Sequence, residues 1–246
     1  MPADSGPLAE LRAPPEVVAG LTRLRDELAA AAGSNLQALV LFGGLAEGRY
    51  RPGKSDVNVL VVLTRASADD LSALAPALRH AGRALRVEPL LVTRTELPAA
   101  ADVFPAKFLH IERRHLLLAG TDPFVGLDIS REHLRLRLEQ ELTNQALRLR
   151  RRFVAAAHAP ADLSHVLAEA AGSLGAQLRM LLELAGKPND EDLASCLKAA
   201  AQAFDLDADA LLGLATSAPR AETFPRVMES VARAAQLAAR MEVGQP

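Results

Sequence analysis

Apolar residues recur at helical spacing between positions 16 and 32, at Val17, Val18, Leu21, Leu24 and Leu28, and Gly33 stands where such a helix should stop. Three strand-like runs follow, at 36–42, 57–63 and 85–92, each dense in β-branched or large apolar residues. Between the second and third, residues 67–81 place Leu71, Leu74 and Leu78 on one helical face. Strand, long loop, strand, helix, strand predicts a small α/β domain. Ahead of it, residues 1–14 are rich in Pro, Ala and Gly and read as a loosely held segment.

After Glu96 the pattern changes. A proline-containing segment carries Phe104, Pro105, Phe108 and Leu109 and leads into the apolar run at 116–119 and Gly120. Thr121, Asp122 and Pro123 read as a turn and a domain boundary, giving expected domains at 15–122 and 123–246. Beyond Ser130 the pattern is helical. Leu134, Leu138, Leu142, Leu149 and Phe153 mark one helix, and Leu163, Val166, Leu167, Leu174, Leu178 and Leu181 the next. Leu193, Leu197 and Phe204 mark a third, while Phe224, Val227, Val231 and Leu237 mark the last. Pro188 and Pro219 fall between them, where proline costs least. Short connections favour antiparallel neighbours, so this half is expected to be an antiparallel bundle of about four or five helices.

Composition narrows the function. The chain has 246 residues, half of them apolar, which is ample for a core and excludes wholesale disorder. A net charge of −2 supplies no basic field for gripping nucleic acid, and seven Phe, one Tyr and no Trp argue against a base-stacking platform. The single Cys196 excludes a cysteine-cluster zinc site and an intrachain disulfide, and is expected in the core. No apolar run approaches the ~20 residues of a membrane helix, and the N-terminus lacks a charged segment followed by an apolar one. A soluble, cytoplasmic protein is the expectation.

The informative segment is 41–58. A buried strand ends in Gly43 and Gly44, a polar loop carries Arg49, Arg51 and Lys54, and the next strand opens with Ser55, Asp56, Val57 and Asn58. Side chains two apart on a strand share a face, so Asp56 and Asn58 project together near the glycines. Glycines allow close approach to phosphate, and successive N–H groups form an anion-binding concavity. Oxygen ligands beside a phosphate cradle suit Mg²⁺.

This arrangement resembles the nucleotidyltransferase superfamily, which includes polymerase β-like enzymes and aminoglycoside nucleotidyltransferases. The family pattern is an apolar strand, Gly-Gly or Gly-Ser, a loop, then Asp-apolar-Asp or Asp-apolar-Glu, with a third carboxylate on a later strand. Gly43 and Gly44 match the glycines, Asp56 the first carboxylate, and Glu88 falls where the third is expected. The resemblance implies a small mixed sheet followed by a helical bundle that helps hold the acceptor. It also implies transfer of a nucleoside monophosphate from an NTP, ATP among them, to a hydroxyl on a small molecule or a protein. Asp56 and Glu88 would be catalytic, Asp56, Asn58 and Glu88 would hold Mg²⁺, and Gly43, Gly44, Arg49, Lys54 and Ser55 would contact the nucleotide.

The departures matter as much. Asn58 stands where the family has its second carboxylate, and an amide oxygen brings no charge to the position that bridges two metals. Gly44 replaces a frequent serine. Two functions follow: an enzyme weakened by Asn58, or an inactive relative that binds a nucleotide or a protein partner as a regulator. At residue level the plain alternatives are solvated loop charges for Arg49, Arg51 and Lys54, a turn residue for Asp56, and an exposed position beside Pro89 for Glu88.

Two further segments bear on function. Residues 104–111, with Arg113, Arg114, His115 and the turn at 120–123, resemble a connector in some bacterial nucleotidyltransferase-like proteins. Acidic residues are usual there near positions now held by Lys107 and His110. Arg152 and His158 resemble in spacing the ribonuclease motif of HEPN helical domains, but they read more simply as a solvated helix end, where the dipole favours cations. His110, His115, His133 and His165 show no metal spacing. The Ala-rich bundle faces leave a homodimer open.

Overall fold

The computed structural model describes residues 8, 11–188, 190 and 192–243. The chain divides into two compact units, one ending at Ile129 and the other starting at Ser130. The division falls beyond the Thr121–Pro123 turn because Phe124, Leu127 and Ile129 still pack on the sheet of the first unit.

In the first unit α1 (Pro15–Ala32) places proline at its start and buries Val17, Leu21, Leu24 and Leu28 along one stripe. Of the N-terminal segment expected to be loose, 1–7 and 9–10 lie outside the described residues. Leu8 is buried in the same core, with Leu11 and Ala13 packed against it. Strands β1 (Leu36–Phe42) and β2 (Val57–Leu63) follow where the apolar runs place them. Helix α2 (Ala68–Leu85) opens with a capping box between Ser67 and Asp70. It runs to Leu85, past the expected end. The third strand, β3 (Val87–Thr93), therefore begins two residues later than the apolar run suggested. The reason is Arg86, whose left-handed backbone (φ 56°, ψ 43°) ends the helix with its N–H directed to the carbonyls of Ala81 and Gly82.

The segment after Glu96 folds as α3 (Leu97–Val103) and α4 (Pro105–Arg113), followed by β4 (His115–Gly120), a strand the sequence did not announce. The sheet order is β3-β2-β1-β4, with β1 antiparallel to β2 and β4, and β2 parallel to β3 through α2. The sheet is thus mixed. Leu39, Leu41, Val57, Val59, Val61 and Leu63 face one core with α1 and α2. Val40, Phe42, Leu60 and Val62 face the other, with Leu97, Ala101, Phe108 and Ile111 of α3 and α4. Both central strands are covered on two sides, which is why they read as unbroken apolar runs.

The second unit is helical: α5 (Arg131–Ala156), α6 (Pro160–Leu184), α7 (Leu193–Phe204), α8 (Ala208–Gly213) and α9 (Phe224–Arg240). The short connection at 157–159 turns α6 back antiparallel along α5, and α9 packs on both. Ser130, Asp192 and Asp207 cap their helices by accepting the N–H of His133, Ser195 and Ala210. Arg135 is buried on α5 between Glu132 and Glu139, and its Nη1 donates to the carbonyl of Ala238 at 3.1 Å. It thereby satisfies a backbone acceptor in the last turn of α9. Cys196 is a core residue as expected, its thiol pushed up by burial. Among the described residues, no helix is long and apolar enough to cross a membrane.

Candidate nucleotide site

The glycines leave β1 in a tight helical turn. Gly43 has φ +75°, a left-handed backbone, and a Cβ there would lie 3.1 Å from Asn58 Nδ2. The Glu47 N–H donates to the carbonyl of Gly43 at 3.1 Å, and the Arg49 N–H to that of Gly44 at 2.7 Å. Gly44, Leu45 and Ala46 precede the first of these donors, so their N–H groups stand at the open end of the turn, as at a helix N-terminus.

The sheet register assembles the rest. One row runs across all the strands: His115 pairs with Phe42, Phe42 with Asn58, and Asn58 with Glu88. Asn58 alternates with Val57 and Val59 and so shares the face of Leu60 and Val62; Glu88 shares the face of Leu90 and Val92. Asn58 and Glu88 are therefore side by side on one face at the end of the sheet, next to Gly43. Asp56 lies just before β2, two residues from Asn58. Asp56 and Glu88 are exposed and Asn58 half-buried, so a ligand can reach them.

Asp56 is already engaged. Arg86 Nε and Nη2 both donate to its Oδ1, at 2.8 and 2.7 Å. Nothing in the sequence pattern marked Arg86, whose partner lies thirty positions earlier. The residues do not fit the magnesium site expected from the family pattern. The bridging position is the neutral Asn58, and the carboxylate oxygen of Asp56 already carries a guanidinium. Among the described residues, no group of three His, Cys, Asp or Glu could hold a metal ion.

The loop residues are brought together. Gly48, Arg49, Tyr50, Arg51, Lys54 and Ser55 line an open groove of about 600 Å³. Ser55 shapes it, since its Oγ accepts the Arg51 N–H at 3.0 Å and its own N–H donates to the Arg51 carbonyl at 2.9 Å. The clustered cations give this groove a positive lining suited to phosphate.

Glu47 went unassigned in the sequence, where it is one charge among several. Its carboxylate is 1% exposed and pairs with Arg49 through Oε2, while Oε1 lies 2.6 Å from His110 Nε2 on α4. His110, read in sequence as the loss of an acidic group, is thus a partner to a buried acid. The pair ties the glycine turn to α4, and a carboxylate so buried requires the Arg49 guanidinium and such a partner. At the row's far end, His115 Nδ1 faces the carbonyls of Ile111 and Glu112 at 2.9 and 3.0 Å and so donates. Nε2 of the same ring lies 3.4 Å from Asp122. Arg152 of α5 pairs with Glu169 of α6 at 2.9 Å, the role of a surface ion pair.

No curated protein matches the chain's sequence. The structure of spectinomycin adenyltransferase AAD(9) from Enterococcus faecialis with ATP and spectinomycin matches with a TM-score of 0.50 at 14% identity, covering 88% of this chain and 98% of that one. That likeness is one of fold. Residues 21–115 match the model of the nucleotidyltransferase domain, the stretch that holds the glycine turn, Asp56, Asn58, Arg86, Glu88 and the row to His115. That match lies wholly within the first unit, which is similar to a nucleotidyltransferase domain over this stretch.

Proposed function

We propose that this chain binds a nucleoside triphosphate at the Gly43–Gly44 turn and slowly transfers its nucleoside monophosphate to a hydroxyl acceptor. The observation that carries this reading is the register row that sets Asn58 beside Glu88, against Gly43 and next to Asp56. The backbone N–H groups of the turn hold phosphate oxygens, and Arg49 and Lys54 in the groove beside it offset their charge. Glu88, an exposed carboxylate, takes the proton of the acceptor hydroxyl. The acceptor oxygen then bonds to the α-phosphorus as the bond to the β-phosphate bridging oxygen breaks, and pyrophosphate leaves. Transfer of this kind depends almost wholly on charge stabilisation, so a neutral Asn58 makes it slow.

A second reading is favoured by the Asp56–Arg86 pair: a nucleotide- or protein-binding regulator with no transfer. The AAD(9) structure holds ATP and spectinomycin, so ATP and a small hydroxylated acceptor are the first substrates to try. Calorimetric titration of ATP, with and without Mg²⁺, followed by a screen of acceptors with labelled ATP, separates the readings. Label transfer that Glu88→Gln abolishes supports the enzyme. Binding without transfer supports the regulator, and no binding of any nucleotide refutes both nucleotide readings.

A further inference from the structure

We propose that Arg86 supplies the positive charge that relatives draw from a divalent ion, so that this chain binds nucleotide phosphates without metal. The inference rests on the nucleotide-binding reading above and concerns how that site is charged. Three observations carry it.

The first is backbone strain. Arg86 is one of two non-glycine residues in the left-handed region among those described, at a helix end where glycine is the default. An arginine there costs about 1–2 kcal/mol in backbone conformation, and such strain marks sites where a side chain has a task. The peptide is fixed at both ends. Its N–H bonds back into α2, and its carbonyl accepts the Val57 N–H at 3.1 Å, extending the β2–β3 ladder. The side chain therefore starts from a rigid point beside Asp56.

The second is the pairing geometry. Both guanidinium contacts with Asp56 converge on Oδ1, which leaves the remaining N–H groups of the fork for another anion. Guanidinium groups bind phosphate in forked, charge-assisted pairs. Asp56 aims the group rather than consuming it.

The third is charge. Asp56 and Glu88 bring two negative charges, Arg86 removes one, and Asn58 adds none. A site left with a single negative charge no longer repels a triphosphate strongly enough to need a divalent ion between them. The same substitution that weakens a metal site thus fits a site that carries its own cation.

The test is ATP titration into the whole protein in EDTA and in Mg²⁺, for wild type, Arg86→Gly, Arg86→Lys and Asp56→Asn. Glycine suits the left-handed position, so Arg86→Gly keeps the fold, checked by an undiminished melting temperature. Wild type should bind ATP in EDTA within about threefold of its affinity in Mg²⁺, and Arg86→Gly should weaken binding in EDTA at least about tenfold. Arg86→Lys should retain most of the affinity. Asp56→Asn should tighten binding, because it removes a carboxylate from beside the phosphates. ATP binding that requires Mg²⁺, is untouched by Arg86→Gly, and is lost in Asp56→Asn would overturn the proposal while leaving the nucleotide site standing. No binding in either buffer overturns both.

Discussion

Gly43→Ala and Gly44→Ala separate the two jobs the adjacent glycines do. Gly43 has φ +75°, and alanine in that conformation costs about 1–2 kcal/mol. The added Cβ also meets Asn58 Nδ2 at 3.1 Å, close enough that the half-buried amide must shift by a few tenths of an ångström. The two effects together place Gly43→Ala about 1–3 kcal/mol below wild type. Gly44 is not left-handed, and its Cβ would meet nothing nearer than the Arg49 carbonyl oxygen at 4.0 Å, so its fold should change by no more than about 0.5 kcal/mol. The difference is on the order of 2–4 °C in melting temperature per kcal/mol for a chain of this size. Urea unfolding followed by circular dichroism, with thermal melts alongside, reads it. Gly44→Ala nevertheless sets a methyl group where the backbone meets phosphate, so its ATP affinity should fall while its stability does not. Equal stabilities for the two variants would refute the left-handed argument, and unchanged ATP affinity in Gly44→Ala would refute the phosphate turn.

The second unit offers its own test: Arg135→Leu leaves Glu132 and Glu139 without their shared cation and strips the Ala238 carbonyl of a donor. It should destabilise the helical unit by about 1–3 kcal/mol in urea. Hydrogen bonds hold Asp70, Glu96 and Asp192 below the ordinary carboxylate range: from Ser67, from the Thr93 N–H and from the Ser195 N–H respectively. Their contribution is complete above the unfolded value near pH 4 and is lost as pH falls through the lowered folded value. The urea midpoint should therefore drop on acidification below about pH 4, with a shallower slope in Asp70→Asn. Asn58→Asp places a second carboxylate opposite Glu88 and should cost about 0.2–1 kcal/mol at neutral pH. Added Mg²⁺ should raise the melting temperature of that variant and not of wild type; an equal response in both would show that Asn58 had not altered the metal site.

The elements with strong periodicity were legible from sequence: α1, the two central strands, α2 and the long bundle helices. β1 and β2 stood out because burial on both faces makes them solidly apolar. β4 did not, because its first residue, His115, and the arginines before it carry no alternation and its partner lies far back in the chain. The start of β3 was misplaced because Leu85 is apolar for a helical reason, packing with the core beside α1. A left-handed arginine gives no periodic signal, so the helix end at Arg86 could not be read where a glycine would have announced it.

The same residue explains why the site was only half legible. Gly43, Gly44, Asp56, Asn58 and Glu88 are local to strand ends, and a motif with strand context finds them. Two contacts that hold the site's carboxylates are not local. Arg86 reaches Asp56 across the parallel ladder, and His110 of α4 reaches the buried Glu47 after the glycine turn. Each pairs a carboxylate near the turn with a nitrogen group delivered by the fold, and because one of them is the Arg86 guanidinium the net charge a triphosphate meets is a property of the register and not of the motif. Counting carboxylates along the sequence identifies Asn58 as a loss. Only the register shows that a cation stands at the neighbouring Asp56, and that changes the question from how well this site holds a metal to whether it uses one.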